Sequence, residues 1–218
     1  IQRLARLQAQ AQAALTGHAY DLERLPGIDA AAEALGRSLS RDEAWLTARW
    51  PEVLSGTGTG AEGERALAWV ALHLGRLHAA AGRHDVARAK LETAISRLPD
   101  GGHRSLLRCE IAVLAARSGA PDEADAWLGE CAQAPDVLEL DSALRHARAR
   151  VHIARGHGDL ALACLGRPGE TPTAPGYADR LTLARVHALE LTGRDADALS
   201  AWRAGEAAML KALRGGAQ

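Results

Sequence analysis

The chain has 218 residues, enough for one large domain or a short array of repeats, and with 3% aromatics and no Phe its core must be Leu, Ala, Val and a few Trp. That composition suits close helix packing and argues against a β-sandwich. A formal net charge of -1 gives the chain as a whole no general attraction to nucleic acid or to an anionic membrane, and no apolar run reaches the ~18 residues of a membrane span.

In chain order, residues 1–16 place Ile1, Leu4, Leu7, Ala11, Ala14 and Leu15 on one apolar stripe at helical spacing. The stripe begins abruptly, without an N-cap, and reads as the tail of something longer. Residues 17–28 are a link. Asp29 caps a helix to about Ser38, and residues 41–54 form its partner. Together 29–54 make a degenerate hairpin, followed by the Gly-rich stretch 55–63.

Residues 64–99 are the clearest unit, two antiparallel helices turning at Gly82. Gly75 and Ala87 are small enough for the two axes to approach closely, and Leu74, Leu91 and Ile95 fill the seam. Further units cover 104–135, 139–168 and 177–213, the second opening its second helix on Pro121. In the third, the second helix is cut short by residues 166–176, which hold three Pro and three Gly. The chain ends in a frayed RGGAQ tail.

These units share a period. Gly82, Gly119, Gly156 and Gly193 are 37 residues apart, and so are Ala87, Ala124, Ala161 and Ala198. Four residues after each Ala stands a large apolar residue: Leu91, Leu128, Leu165 and Trp202. Three features in step four times over mark a helical repeat of two helices and two turns.

Residues 69–99 (WVALHLGRLHAAAGRHDVARAKLETAISRLP) resemble the tetratricopeptide repeat in Leu74-Gly75, Ala87, Leu91 and the closing Pro99. Ala71 and His78 stand where that signature has Trp and Tyr. The resemblance implies an all-α, right-handed solenoid of about five antiparallel hairpins after the lone N-terminal helix. Such proteins bind through a concave face. The residue after the Leu-Gly pair projects into that groove, which selects Arg76, Val113, Arg150 and, in the fourth unit, His187 or Arg185. His146 lies one turn before Arg150, Arg117 one turn after Val113, and Trp69 on the same edge as a prospective anchor. Arginines on successive helices would clamp carboxylates bidentately. The other tryptophans, Trp45, Trp50, Trp127 and Trp202, are expected to pack.

Catalytic signatures fail. Gly58-Thr59-Gly60-Ala61-Glu62-Gly63 fits G-x-G-x-x-G but follows a helix, with no strand or GKS/GKT beside it. The nine histidines show no zinc-helix spacing. His78 and His152 read as core histidines bonded across a helix pair, and His157 as a turn residue. There is no G-x-S-x-G, and the acidic pairs Asp122/Glu123 and Asp195/Asp197 sit where they favour helix dipoles. Cys109, Cys131 and Cys164, with no CxxC among them, read as reduced, buried thiols, not as a zinc or redox site.

The expectation is a non-catalytic, cytoplasmic interaction scaffold without metal or cofactor. It would bind another protein or peptide, with acidic groups as the natural target, as a regulatory segment of a larger bacterial signalling or transcription-regulatory protein. The alternative is a small-molecule or peptide-signal sensor whose curvature changes with ligand. An enzyme with a site on the 166–176 loop and His157 is the third reading. Open repeat ends leave dimerisation available.

Overall fold

The computed structural model describes residues 43–55, 60–131, 138–167, 172–174 and 176–215. The helices expected over 1–16 and 29–38 lie outside them, as do parts of the 55–63 link, the 166–176 loop and the C-terminal tail. Among the described residues the chain is all-helical, with no strand.

Helix α1 occupies 43–55. It is followed by α2 (Ala61–Ala80), α3 (His84–Ile95), α4 (Gly102–Arg117), α5 (Pro121–Gly129), α6 (Leu138–Ala154), α7 (Gly158–Leu165), α8 (Ala178–Leu191) and α9 (Asp195–Gly215). The start of α2 takes in Ala61 to Gly63, so the Gly-rich link is shorter than its composition suggests. Pro121 is in the first turn of α5, where its missing N–H leaves no bond unmade.

Four turns share one local structure. Gly82, Gly119, Gly156 and Gly193 have φ of 75°, 79°, 75° and 69°, a region open to glycine and strained for other residues. The N–H after each glycine donates to the carbonyl five residues back: Arg83 to His78 (2.8 Å), Ala120 to Ala115 (2.9 Å), His157 to His152 (2.8 Å) and Arg194 to Leu189 (2.9 Å). Each glycine N–H donates three residues back. This pair of bonds is the Schellman motif, and it satisfies carbonyls that the helix end would otherwise orphan.

Each turn folds a helix onto its predecessor, pairing α2 with α3, α4 with α5, α6 with α7 and α8 with α9. Each pair also packs on the next, and α2, α4, α6 and α8 touch in succession. The core runs through these seams, with Leu67, Leu74, Leu91, Leu107, Ile111, Leu140 and Val151 fully buried. Ala87, Ala124 and Ala161 are buried completely and Ala198 nearly so. A Cβ on Gly75 would meet the Leu91 side chain at 3.0 Å, which is why that crossing takes glycine. Of the tryptophans, Trp50 is buried and Trp127 and Trp202 are half-buried, but Trp45 is exposed on α1. No helix among the described residues is long and apolar enough to cross a membrane.

Ala124→Leu and Ala161→Leu should each overpack a seam and lower stability by about 1–3 kcal/mol, read from urea unfolding. Unchanged midpoints in both would show that these alanines do not set the distance between paired helices.

Candidate functional site

The row α2, α4, α6, α8 presents one continuous surface, and a buried ionic network occupies part of it. Its centre is Glu110, whose side chain is 9% exposed on α4. Oε1 accepts from Arg76 Nε (3.0 Å) and Nη2 (2.5 Å) on α2, and from the Tyr177 hydroxyl (3.1 Å). Arg180 Nη1, on α8, reaches both carboxylate oxygens, at 3.2 and 3.1 Å. Arg76 Nη2 also donates to the Tyr177 hydroxyl at 2.6 Å. Both guanidiniums lie over the Tyr177 ring, Arg76 at 4.9 Å and Arg180 at 5.9 Å.

The route by which α8 reaches α4 is local. On α6, which touches both α4 and α8, Ala143 and Ala147 are buried and carry nothing beyond Cβ. Tyr177 is delivered by the segment before α8. There the Ala174 N–H donates to the buried Ser142 hydroxyl (3.0 Å), and Arg145 Nη2 donates to the Pro172 carbonyl (2.7 Å). Gly176, at φ 84°, then turns the chain into Tyr177.

Electrostatics follow the burial. Burial alone would raise the Glu110 carboxyl; Arg180 and Arg76 reverse this and hold it well below the usual carboxylate range. Burial, with Glu110 alongside, pushes the Tyr177 hydroxyl up, so it keeps the proton it donates. Burial and Arg180 push His146, which meets Tyr177 edge to face at 6.4 Å, down to about 3. Burial and Arg76 also lower His73.

The other half of the surface is differently balanced. Arg150 Nη1 lies 3.1 Å from His187 Nδ1, a contact between residues 37 apart in the chain. Burial and Arg150 push His187 down to about 4, so its neutral ring accepts. Burial and the nearby Arg117 push Arg150 itself down to about 10. The protein around Arg117, and then Arg180, lower Arg117 too, although its side chain remains open to solvent. No carboxylate among the described residues forms an ion pair with Arg117 or Arg150. Among the described residues, Arg76 and Arg180 are thus paired with Glu110, while Arg117 and Arg150 have no ion pair.

The sequence-selected residues are therefore placed as follows. Arg76 and His146 belong to the Glu110 network, and Arg117 and Arg150 to the unneutralised half; Val113 is a buried residue of α4. Arg185 is turned to the end of α7, donating to the carbonyls of Gly166 and Leu165. Its neighbour His187 holds the fourth-unit position. Trp69 is 48% exposed, with its ring tilted against His73 (centroids 4.3 Å) and edge-on to Trp45 (6.4 Å). With Trp45, Val53 and Val70 it lines a recess of about 460 Å³ between α1 and α2.

Sequence reasoning missed Glu110, Arg180 and Tyr177. The first two had a signal. Glu110 is a charge inside the apolar run LLRCEIAVLAA, and an ionisable group there requires partners. Arg180 stands 37 residues after Ala143, in register with the row. Tyr177 had none, because its place is set by a loop.

His78 and His152, expected to bond across a helix pair, lie outside this surface. His78 is buried and its Nδ1 accepts from Arg83 Nε at 3.1 Å, within its own turn. His152 Nδ1 is buried without a hydrogen-bond partner among the described residues. No cluster of three or more His, Cys, Asp or Glu suited to a metal occurs among the described residues.

Glu110→Gln should destabilise the chain by roughly 3 kcal/mol, because two guanidiniums lose their counter-charge; an unchanged urea midpoint at pH 7 would refute this. Stability should also fall as pH drops below neutrality. Unfolded imidazoles take protons near 6.5 and unfolded carboxyls near about 4.3, whereas native His146, His187 and Glu110 take theirs only at lower pH. The unfolded state therefore binds more protons through this range. His146→Gln should flatten the slope between pH 6.5 and 5 by up to about 1.4 kcal/mol per pH unit, and an identical slope in both proteins would show that His146 titrates normally. Comparison of the chain with protein-family models, curated proteins and solved structures finds no match.

Proposed function

We propose that the chain is a right-handed solenoid of tetratricopeptide-like hairpins that holds an acidic segment of a partner protein across α4, α6 and α8. The observation carrying this reading is the pair Arg117 and Arg150, near enough for the charge of one to act on the other and without an ion-paired carboxylate among the described residues, Glu110 acting on Arg117 only at a distance. Placing guanidiniums side by side is unfavourable unless an anion is supplied. A carboxylate ligand would relieve the repulsion and accept planar, two-pronged hydrogen bonds. Glu110 already provides a carboxylate to Arg76 and Arg180, so the chain contains its own arginine–carboxylate contacts on this surface.

Support for the repeat arrangement is local. The same Schellman turn recurs at the four glycines, and contacts run from each hairpin to the next. The setting, a regulatory segment of a larger signalling or transcription-regulatory protein, follows from the resemblance.

A Glu/Asp-rich dodecapeptide should bind in fluorescence anisotropy at low salt. Affinity should fall with ionic strength and drop at least about tenfold, or 1.4 kcal/mol, in Arg117→Gln/Arg150→Gln. Arg76 is not the residue to change, since its loss would disrupt Glu110. No binding at any salt, or equal binding by wild type and variant, would reject the acidic-ligand reading.

A further inference from the structure

The hairpin of α4 and α5 brings two cysteines together. Cys109, in mid-α4, is 1% exposed, and Cys131, just past α5, is half-buried. Both are free thiols, with sulfurs 3.9 Å apart. Cys131 Sγ also lies 3.5 Å from the Trp127 carbonyl and 3.6 Å from that of Ser105. Beside it, Arg108 is anchored to Glu130 through the carbonyl (2.6 Å) and the carboxylate (3.1 Å). Arg108 Nε is buried without a hydrogen-bond partner among the described residues.

The two thiols are unequal. The hydrogen bond with Cys109 lowers Cys131 against partial burial, and Arg108 and Arg148 add to the effect. The same hydrogen bond, with burial, raises Cys109. Burial also raises Cys164, the third cysteine. A disulfide needs its sulfurs about 2.05 Å apart, so the pair must close by roughly 2 Å. Cys131 lies just past the end of α5, and closure would require its side chain to rotate about χ1.

We propose that Cys131 and Cys109 form a peroxide-sensitive thiol pair, with Cys131 as the attacking thiol and Cys109 as the resolving one. The Cys131 thiolate attacks one oxygen of hydrogen peroxide. The O–O bond breaks, hydroxide leaves and takes a proton, and Cys131 becomes a sulfenic acid. The Cys109 sulfur then attacks the Cys131 sulfur and gives up its proton. The S–S bond forms, the S–O bond breaks, and water leaves. In sum, two thiols lose two electrons and two protons, and peroxide is reduced to two waters. The order is fixed by access, because peroxide reaches Cys131 and not the enclosed Cys109. The link would pin α4, at the residue before Glu110, to the end of α5. The pair does not depend on the acidic-ligand reading.

The chain is well suited to the test. Trypsin cuts after Arg108, Arg117 and Arg145, which puts Cys109 on peptide 109–117 and Cys131 on 118–145. Cys164 falls on 156–180, since Arg167 precedes Pro168. Full-length protein is treated with hydrogen peroxide, blocked with N-ethylmaleimide, digested and mapped by mass spectrometry. Two of the three thiols should disappear, a linked 109–117/118–145 peptide should form and dithiothreitol should release it. Cys164 should stay alkylated throughout. Cys109→Ala should stop at a sulfenic acid on Cys131 that dimedone captures, and Cys131→Ala should leave Cys109 unoxidised. A link through Cys164, sulfinic acid on wild-type Cys131 without the link, or no loss of thiol would each overturn the proposal. Circular dichroism checks that both variants are folded; if either is not, the presence or absence of the wild-type linked peptide decides.

Discussion

A carboxylate with four hydrogen-bond donors around it sits in the interior face of α4, and the long-range order of the molecule depends on it. Arg76, Tyr177 and Arg180 meet at Glu110 from α2, from the segment before α8 and from α8 itself. Removing such a charge from water costs several kcal/mol, repaid only when geometry and hydrogen bonding are complete. Here they are complete, and the tyrosine hydroxyl both receives from Arg76 and donates to Glu110. Chains built of stacked hairpins otherwise rely on contacts between neighbours, so each unit feels only the next. The Glu110 contact joins helices that are not neighbours, which ties the outer members of the row into one cooperative unit.

That contact also decides which charges remain available. Arg76 and Arg180 are spent internally, and a ligand competing for them would have to displace an embedded carboxylate. Arg117 and Arg150 carry no such commitment among the described residues. Arg150 is instead propped by a neutral His187, which fixes its direction without cancelling its charge. One surface therefore holds a half neutralised within the chain and a half without ion pairs among the described residues.

Much of the helical organisation was legible in the sequence because it is local. A glycine ends a helix wherever the backbone needs positive φ, and the four at 37-residue spacing all do so. The alanines at the seams announced close packing for the same steric reason. The site was legible in part. Spacing put Arg76, Arg117, His146 and Arg150 on one surface, because it tracks helix faces. It did not show that Glu110 had claimed Arg76, since burial of a charge is settled by residues far away in sequence. Spacing left Arg185 and His187 both open, and the choice turned on the carbonyls at the end of α7, which drew Arg185 away. Trp45 was expected to pack, yet it is half exposed, edge-on to Trp69 in the recess between α1 and α2.

The 37-residue spacing from Gly156 to Gly193 survives although α7 has only 8 residues where α3 has 12. The connection to the next helix is longer instead, 166–177 against 96–101. The segment before α8 bonds to α6 at Pro172 and Ala174 and carries Tyr177 to the ionic network. Such a trade offers lineages a way to diversify one hairpin while its neighbours keep their packing. New side chains arrive on the longer connection, and the stacking surfaces on either side are not asked to change.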